Sequence, residues 1–190
     1  MQRAYRAALR WSAHPHASRY LFGVAVAESS FFPIPPDTLL APMTLAQPNK
    51  AWRYAWITTL GSVIGGVLGW LIGAFAFEAL ARPILALYHL ETKFDQVGAW
   101  FEAYAAWIIF AAGFTPIPYK VFTIAAGLFQ IPLWLLTAVS IPARGMRFFL
   151  VAGLIRWGGE PLQHWLERNI AWLTTALVAV AFGLWWLLKG

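Results

Sequence analysis

The fold is organised around a proline-rich segment, Glu28-Ser29-Ser30-Phe31-Phe32-Pro33-Ile34-Pro35-Pro36-Asp37, because a near-copy of it returns 83 residues later. The copy is Phe114-Thr115-Pro116-Ile117-Pro118-Tyr119-Lys120. Both copies lie within apolar sequence, where a Pro-x-Pro pair breaks a helix. One such break could arise by chance, but two in matching apolar surroundings indicate a duplicated element of a membrane protein.

The composition is that of an integral membrane protein with one domain. Of the 190 residues, 60% are hydrophobic and only 12% are charged, and the mean hydropathy is +0.60. A net charge of +6 could indicate nucleic-acid binding. We exclude that class, because the basic residues flank apolar runs, as they do in the cytoplasmic loops of membrane proteins.

The N-terminal residues 1–16 are predicted to form a short amphipathic helix. Arg3, Arg6 and Arg10 share one helical face, and Tyr5 and Leu9 lie roughly opposite. A basic amphipathic helix of this kind suits the surface of an anionic membrane.

Residues 17–77 form the first repeat, in which apolar arms flank the proline-rich break. Two interpretations remain open for residues 18–46: a single kinked span, or a re-entrant hairpin that enters the membrane and returns to the same side. The hairpin is favoured, because Pro33, Pro35 and Pro36 remove three backbone donors in four residues. Such backbone is tolerated at depth only inside protein or beside water.

The sequence predicts a transmembrane helix after the first break. Ala55–Phe77 is an uncharged run of 23 residues, and glycines recur at every fourth position: Gly61, Gly65, Gly69 and Gly73. Because glycine has no Cβ, this stripe predicts a close approach by another backbone.

Residues 100–157 repeat the plan after a polar connector at 78–100. The descending arm is Phe101–Phe114, the break is Thr115–Pro118, the returning arm is Val121–Ile131, and a further segment runs from Pro132 to about Trp157. Residues 158–190 are predicted to be a connector and an extra C-terminal transmembrane helix. The predicted fold is an all-α integral membrane protein whose core, residues 17–157, is an inverted repeat of a re-entrant hairpin plus a transmembrane helix.

The distribution of basic residues predicts the orientation. One hairpin and one span per repeat place the two copies in opposite orientations. Eight basic residues then lie on the N-terminal side and three on the other. This bias places the N-terminus in the cytoplasm and the C-terminus outside.

Five ionisable residues within the apolar sequence are the candidate substrate and proton pathway: Glu28, Asp37, Lys120, Arg144 and Arg147. Charges at this depth are costly unless they are paired or hydrated. We therefore expect the tips around Pro33, Pro35 and Pro36 and around Pro116 and Pro118 to meet near the bilayer centre. The acids of the first hairpin would face the bases of the second, with Asp37 opposite Lys120. The alternative is that these groups are static ion pairs or reach towards an interface.

These residue types suit transport of an anionic amphiphile better than catalysis. Arginine binds phosphate well, and a carboxyl group out of water favours its neutral form, so Glu28 or Asp37 could carry a proton. We expect Arg144 and Arg147 to hold the anionic headgroup and Glu28 to be the proton-responsive group. No motif of a hydrolase or metalloprotease is present. His14 and His16, or His89 with Glu91 and Asp95, are better explained as turn and loop residues than as metal ligands. We therefore expect no catalytic residue, metal or cofactor, although a non-transporting scaffold and an intramembrane enzyme remain alternatives.

Two runs resemble the DedA family, whose members share the VTT (SNARE-associated) domain. The first is Glu28 followed by Pro35-Pro36-Asp37-Thr38-Leu39-Leu40; the second is Phe114-Thr115-Pro116 with Ala125-Ala126-Gly127. Gly113 and Tyr119 stand where the main branch has arginines, which is similar to the shorter YqaA-type branch.

The resemblance implies a multi-pass protein of the bacterial inner membrane with two facing re-entrant hairpins. It implies translocation of a lipid, either a phospholipid or undecaprenyl phosphate. Membrane lipids with anionic headgroups are thus the expected partners, and a homo-oligomer is left open.

Overall fold

The computed structural model describes residues 16–30, 35–76 and 91–159, and these residues are helical with short connections. Six α-helices are seen in them: α1 Ala17–Ser30, α2 Asp37–Ala46, α3 Ala51–Ala76, α4 Glu91–Phe114, α5 Tyr119–Leu128 and α6 Leu133–Gly159. A 3₁₀ turn, Pro48–Lys50, joins α2 to α3. The predicted N-terminal amphipathic helix, Pro33, His14, His89 and the predicted C-terminal transmembrane helix lie outside the described residues.

Three helices are long and apolar enough to cross a membrane: Pro48–Ala76, Phe94–Phe114 and Leu133–Gly159. The chain is therefore a membrane protein with helical spans, as predicted. Helices α1 and α2 have 14 and 10 residues. At a rise of 1.5 Å per residue they extend about 21 and about 15 Å, short of the roughly 30 Å hydrocarbon core.

Helix α4 begins earlier than predicted. The sequence placed a polar connector up to residue 100 and an arm from Phe101, whereas α4 runs without interruption over 24 residues from Glu91. The polar residues do not end the helix, because Asp95, Gln96 and Glu102 are exposed on its surface. A charge on the solvated face of a helix costs little, so the polarity of this segment was a poor guide to its structure.

The glycine stripe makes α3 the central helix, and the predicted close approach is confirmed. A Cβ at Gly61 or Gly65 would meet backbone carbonyls of Phe22 and Val26 in α1. The other half of the stripe packs against α5, where a Cβ at Gly73 would meet the carbonyl oxygen of Ile124. Helix α1 thus packs on one half of α3 and α5 on the other.

Two apolar clusters close the structure at its two ends. The first joins the beginning of α1, the end of α2, the beginning of α3 and the end of α6, through the buried residues Leu21, Met43, Tyr54 and Ala152. The second joins α4 and α5 to the beginning of α6. Polar groups are concentrated between the two clusters.

Candidate functional site

Arg144 is the most deeply buried charged residue described by the structure, with 2% of its surface exposed. It lies near the middle of α6, and its Nη2 donates to Glu28 Oε2 at 3.1 Å. The guanidinium also lies over the rings of Tyr119 and Phe148, with its carbon 4.8 and 4.7 Å from the ring centroids. Favourable contacts of this kind offset the cost of removing the cation from water.

Two serines complete the coordination of Arg144. Its Nε donates to Ser62 Oγ at 2.5 Å, and its Nη2 lies 3.3 Å from Ser29 Oγ. The two hydroxyls are 2.6 Å apart, and Ser29 also donates to Glu28 at 3.0 Å. A closed network of hydrogen bonds therefore links α1, α3 and α6.

Sequence reasoning did not find the role of Ser62. Its only signal was that it follows Gly61 directly, on a helix whose glycines allow a neighbouring helix to approach. Tyr119 was likewise overlooked: it is buried, and its hydroxyl forms a short hydrogen bond with Ser140.

Arg147 lies one turn after Arg144 and contacts both proline-broken segments. Its Nη2 donates to Asp37 Oδ2 at 2.6 Å, and its Nη1 donates to the carbonyl oxygen of Thr115 at 2.8 Å. Asp37 begins α2, directly after the first break, and Thr115 begins the second break. One guanidinium group therefore holds the two tips together.

The Arg147–Asp37 pair is more accessible than the Arg144–Glu28 pair. Arg147 and Asp37 expose 14% and 21% of their side chains, against 2% and 15% for Arg144 and Glu28. Asp37 Oδ1 is buried and has no hydrogen-bond partner among the described residues. The carboxylate therefore has one oxygen with a free hydrogen-bonding position.

The structure brings together four of the five predicted site residues. Glu28 and Asp37 face arginines of α6, in agreement with the expectation that acids face bases, and Asp37 pairs with Arg147. The expected pairing of Asp37 with Lys120 stays a prediction. Lys120 is half-buried in the first turn of α5. Of the predicted tip prolines, Pro36 and Pro118 are the N-cap residues of α2 and α5, and Pro35 and Pro116 are exposed.

The tips lie at the level of the middle of α6. A Cβ at Gly113, the residue before the last one of α4, would meet Ala143 and Arg144. These positions are within a few residues of the centre of the 27-residue helix Leu133–Gly159. The charged network thus lies about 15 to 20 Å from either end of α6.

No group of three or more His, Asp or Glu side chains in the described part of the chain is arranged to hold a metal ion. The network instead offers two guanidinium groups, two carboxylates and several hydroxyls, surrounded by apolar helices. Such a set can bind an anion through the arginines and a proton through the carboxylates.

The VTT domain family matches residues 32–156, about two thirds of the chain. The chain belongs to the DedA family of VTT-domain proteins. The matched range includes Asp37, Arg144 and Arg147, so most of the charged network of this VTT-domain protein lies within it.

Two relatives extend the similarity over nearly the whole chain. An uncharacterized protein of Haemophilus influenzae is 36% identical over 181 residues, which are 94% of this chain and 94% of the relative. An uncharacterized protein of Histophilus somni is 32% identical over 185 residues, covering 97% of this chain and 96% of the relative. No solved structure matches the chain.

Proposed function

We propose that this VTT-domain protein translocates an anionic, phosphate-bearing lipid across the bacterial inner membrane, as a flippase or scramblase does. The lipid would be a phospholipid or undecaprenyl phosphate, and the protein would need no cofactor and catalyse no covalent step. The observation that carries the proposal is the partly exposed Arg147–Asp37 pair at the meeting point of the two broken segments. Charged groups this deep in apolar helices mark substrate pathways more often than they stabilise a fold.

The contacts of Arg147 can be exchanged for contacts with a phosphate. Its two terminal nitrogens donate to two different acceptors, one a carboxylate and one a carbonyl. Two oxygens of a phosphate could accept both bonds, since the planar fork of arginine fits phosphate geometry. Binding of a headgroup would then release both tips from Arg147 and leave Asp37 without its cation.

Proton coupling would follow from this release. A carboxylate that loses its cation in an apolar environment favours the protonated form. Headgroup binding and proton uptake by Asp37 would therefore promote each other, with equal effects in both directions. The unpartnered Oδ1 of Asp37 is available for that proton.

Arg144 and Glu28 would have a different role from the one expected from the sequence. Both arginines were expected to hold the headgroup, with Glu28 as the proton-responsive acid. Arg144 is buried and fully engaged with Glu28, Ser29 and Ser62. We assign it the role of holding α1, α3 and α6 together, which leaves the headgroup to Arg147.

We propose that both helix pairs, α1–α2 and α4–α5, are re-entrant hairpins. The short lengths of α1, α2 and α5 support this assignment, as does the position of both tips at the level of the middle of α6. Helix α4 is long enough to cross a membrane, but it ends at that same level, so in this arrangement its 24 residues extend from the middle of the membrane to beyond its surface. The basic residues Arg19, Lys50 and Arg53 lie at the beginnings of α1 and α3, which supports a cytoplasmic N-terminal side. A cysteine introduced at Asn49 should be shielded from an impermeant thiol reagent in intact cells; labelling there would reverse the orientation.

Flux of a labelled lipid in proteoliposomes tests the proposed function. We expect Arg147→Ala to lower the flux of phosphatidylglycerol at least tenfold, because a charge-assisted hydrogen bond contributes about 1.5–3 kcal/mol. Arg147→Lys should not restore it, since lysine lacks the fork. Arg19→Gln, an exposed change of equal charge, should keep the wild-type flux.

The pH dependence provides a second readout. Asp37→Asn should fold and should flatten the dependence of flux on pH, whereas the wild type should respond to it. Full flux in Arg147→Ala, or an unchanged pH profile in Asp37→Asn, would contradict the proposal.

A non-transporting assembly protein is the second candidate, and the surface of α4 favours it. Trp100, Tyr104 and Trp107 form an exposed aromatic stripe along this helix. Such a stripe could dock a partner helix or a second copy of the chain. A wild-type protein that folds in liposomes but moves no lipid would select this alternative.

A further inference from the structure

A second polar feature lies where the end of α6 meets the beginning of α3, well separated from the central charges. Arg156 is on the last turn but one of α6, nine residues after Arg147. At 1.5 Å per residue the two arginines are about 13 Å apart along the helix axis. The carbon of the Arg156 guanidinium lies 5.6 Å from the ring centroid of Trp52, at the beginning of α3.

The indole of Trp52 is held in place by aromatic neighbours. It stacks on Phe149 with ring centroids 5.7 Å apart and an interplanar angle of 13°. Trp157 packs edge-on against it at 5.9 Å. Gly153 provides the space, since a Cβ there would lie 3.2 Å from the end of the indole. We name this group, Trp52, Phe149, Arg156 and Trp157, the Arg156 cluster.

Among the described residues, the Arg156 cluster carries a positive charge without a neighbouring carboxylate. Arg156 forms no hydrogen bond or ion pair with any residue in the described part of the chain, and its guanidinium lies against the ring of Trp52. The carboxylates whose side chains are described lie elsewhere, at the central network or on α4. Lys50 and Arg53, both exposed, flank Trp52 in sequence. The local charges therefore fit an anionic partner.

An apolar ridge leads from the cluster towards the middle of the membrane. Trp56 packs edge-on against Phe149, and on α3 it is followed at every fourth position by Leu60, Ile64 and Leu68. These four side chains expose 52%, 51%, 46% and 41% of their surface. The cluster could bind the charged head of a molecule whose apolar tail lies along the ridge.

We propose that the Arg156 cluster binds the headgroup of an anionic phospholipid that remains bound in the adjoining leaflet and is not translocated. The guanidinium can donate two parallel bonds to the lipid phosphate. The tryptophan rings suit the headgroup region, where one edge meets water and the other meets acyl chains. One acyl chain would lie along the ridge from Trp56 to Leu68. The site does not depend on transport through the central network.

Native mass spectrometry of the purified full-length protein tests this site. Protein stripped of lipid in detergent would be titrated with phosphatidylglycerol, with phosphatidylcholine, and with inorganic phosphate. We expect one phosphatidylglycerol to bind with preference over phosphatidylcholine, and free phosphate to compete poorly because it lacks acyl chains. Arg156→Gln should weaken phosphatidylglycerol binding about tenfold.

Arg19→Gln is the matched control, since it removes an equal charge from the exposed beginning of α1, at the same end of the molecule. It should leave the affinity for phosphatidylglycerol unchanged. Equal losses of affinity in Arg156→Gln and Arg19→Gln would mean that the lipid responds to diffuse surface charge. Equal binding of phosphatidylglycerol and phosphatidylcholine would mean that there is no headgroup site, and either result overturns the proposal. Trp52→Leu, which keeps the charge but removes the aromatic support, should also weaken binding and provides a second test if Arg156→Gln folds poorly. Lipid flux should be retained in Arg156→Gln, so a failure here is distinguishable from a failure of the proposed transport.

Discussion

Glu28→Gln should destabilise the protein more than Arg144→Met, although the two residues form one ion pair. Removing Glu28 leaves the Arg144 cation in a site where 2% of it is exposed, and arginine cannot discard its charge. Removing Arg144 leaves a carboxyl group that can take up a proton and still accept the hydrogen bond from Ser29. Glu28→Gln, which leaves the buried cation unpaired, therefore loses more stability than Arg144→Met.

The magnitude follows from the burial of the pair. Breaking a buried ion pair by removing one partner costs about 3–5 kcal/mol. Glu28→Gln should fall in the lower part of that range, about 3 kcal/mol, because the two serines and two aromatic rings stay in contact with the cation. Arg144→Met, which roughly preserves volume, should cost about 1–2 kcal/mol. The double variant should cost less than the sum by about 1–3 kcal/mol.

Reversible unfolding in mixed micelles, followed by circular dichroism, measures these differences. Glu102→Gln is the control, since Glu102 is exposed on α4 and its loss should change stability by no more than about 0.5 kcal/mol. Additive single effects would refute direct coupling. A larger loss in Arg144→Met than in Glu28→Gln would refute the argument about the stranded cation.

Two further predictions concern the backbone. Gly73→Ala should destabilise the protein by about 1–3 kcal/mol, because the new Cβ meets the backbone of Ile124 and a backbone cannot move aside. Gly23→Ala, at a helical site with no atom within 4 Å, should instead stabilise the protein by about 0.5–1 kcal/mol. Thermal unfolding of the two variants compares these effects. Gln130, just after the end of α5, has φ 54°, which glycine adopts more readily. Gln130→Gly should therefore stabilise the protein by up to about 1 kcal/mol in the same assay. A loss of stability would show that the side chain of Gln130 is needed.

The sequence was most informative where a pattern repeats. The paired Pro-Ile-Pro segments located both breaks, and the glycine spacing predicted the packing face of α3. These predictions succeeded because they depend on local rules: proline lacks a donor, and residues four apart share a helical face. The deep position of Arg144 and Arg147 could be expected for a similar reason, since they lie within a long apolar helix.

The pairing of Asp37 could not be predicted in the same way. Lys120 occupies the position equivalent to Asp37 in the repeated segment, so the repeat pointed to Lys120 and gave no sign of Arg147 as a partner. Arg147 reaches Asp37 because of the rotation of α6 about its own axis, which is set by packing against α3 and the tips. Ser62 was overlooked for a related reason: a single serine gives no sign of its partner.

The glycine stripe on α3 is divided between two neighbouring helices, and this division constrains how many residues α3 can have between them. Gly61 and Gly65 serve α1, while Gly69 and Gly73 serve α5, so the two contacts are kept in phase only by the number of residues between them. Inserting one residue after Gly65 would rotate the later glycines by about 100° and present side chains to α5. Outward-facing positions such as Leu60 and Leu68 can exchange one apolar residue for another at little cost. The helix therefore tolerates substitutions on its lipid side far better than it tolerates any insertion or deletion.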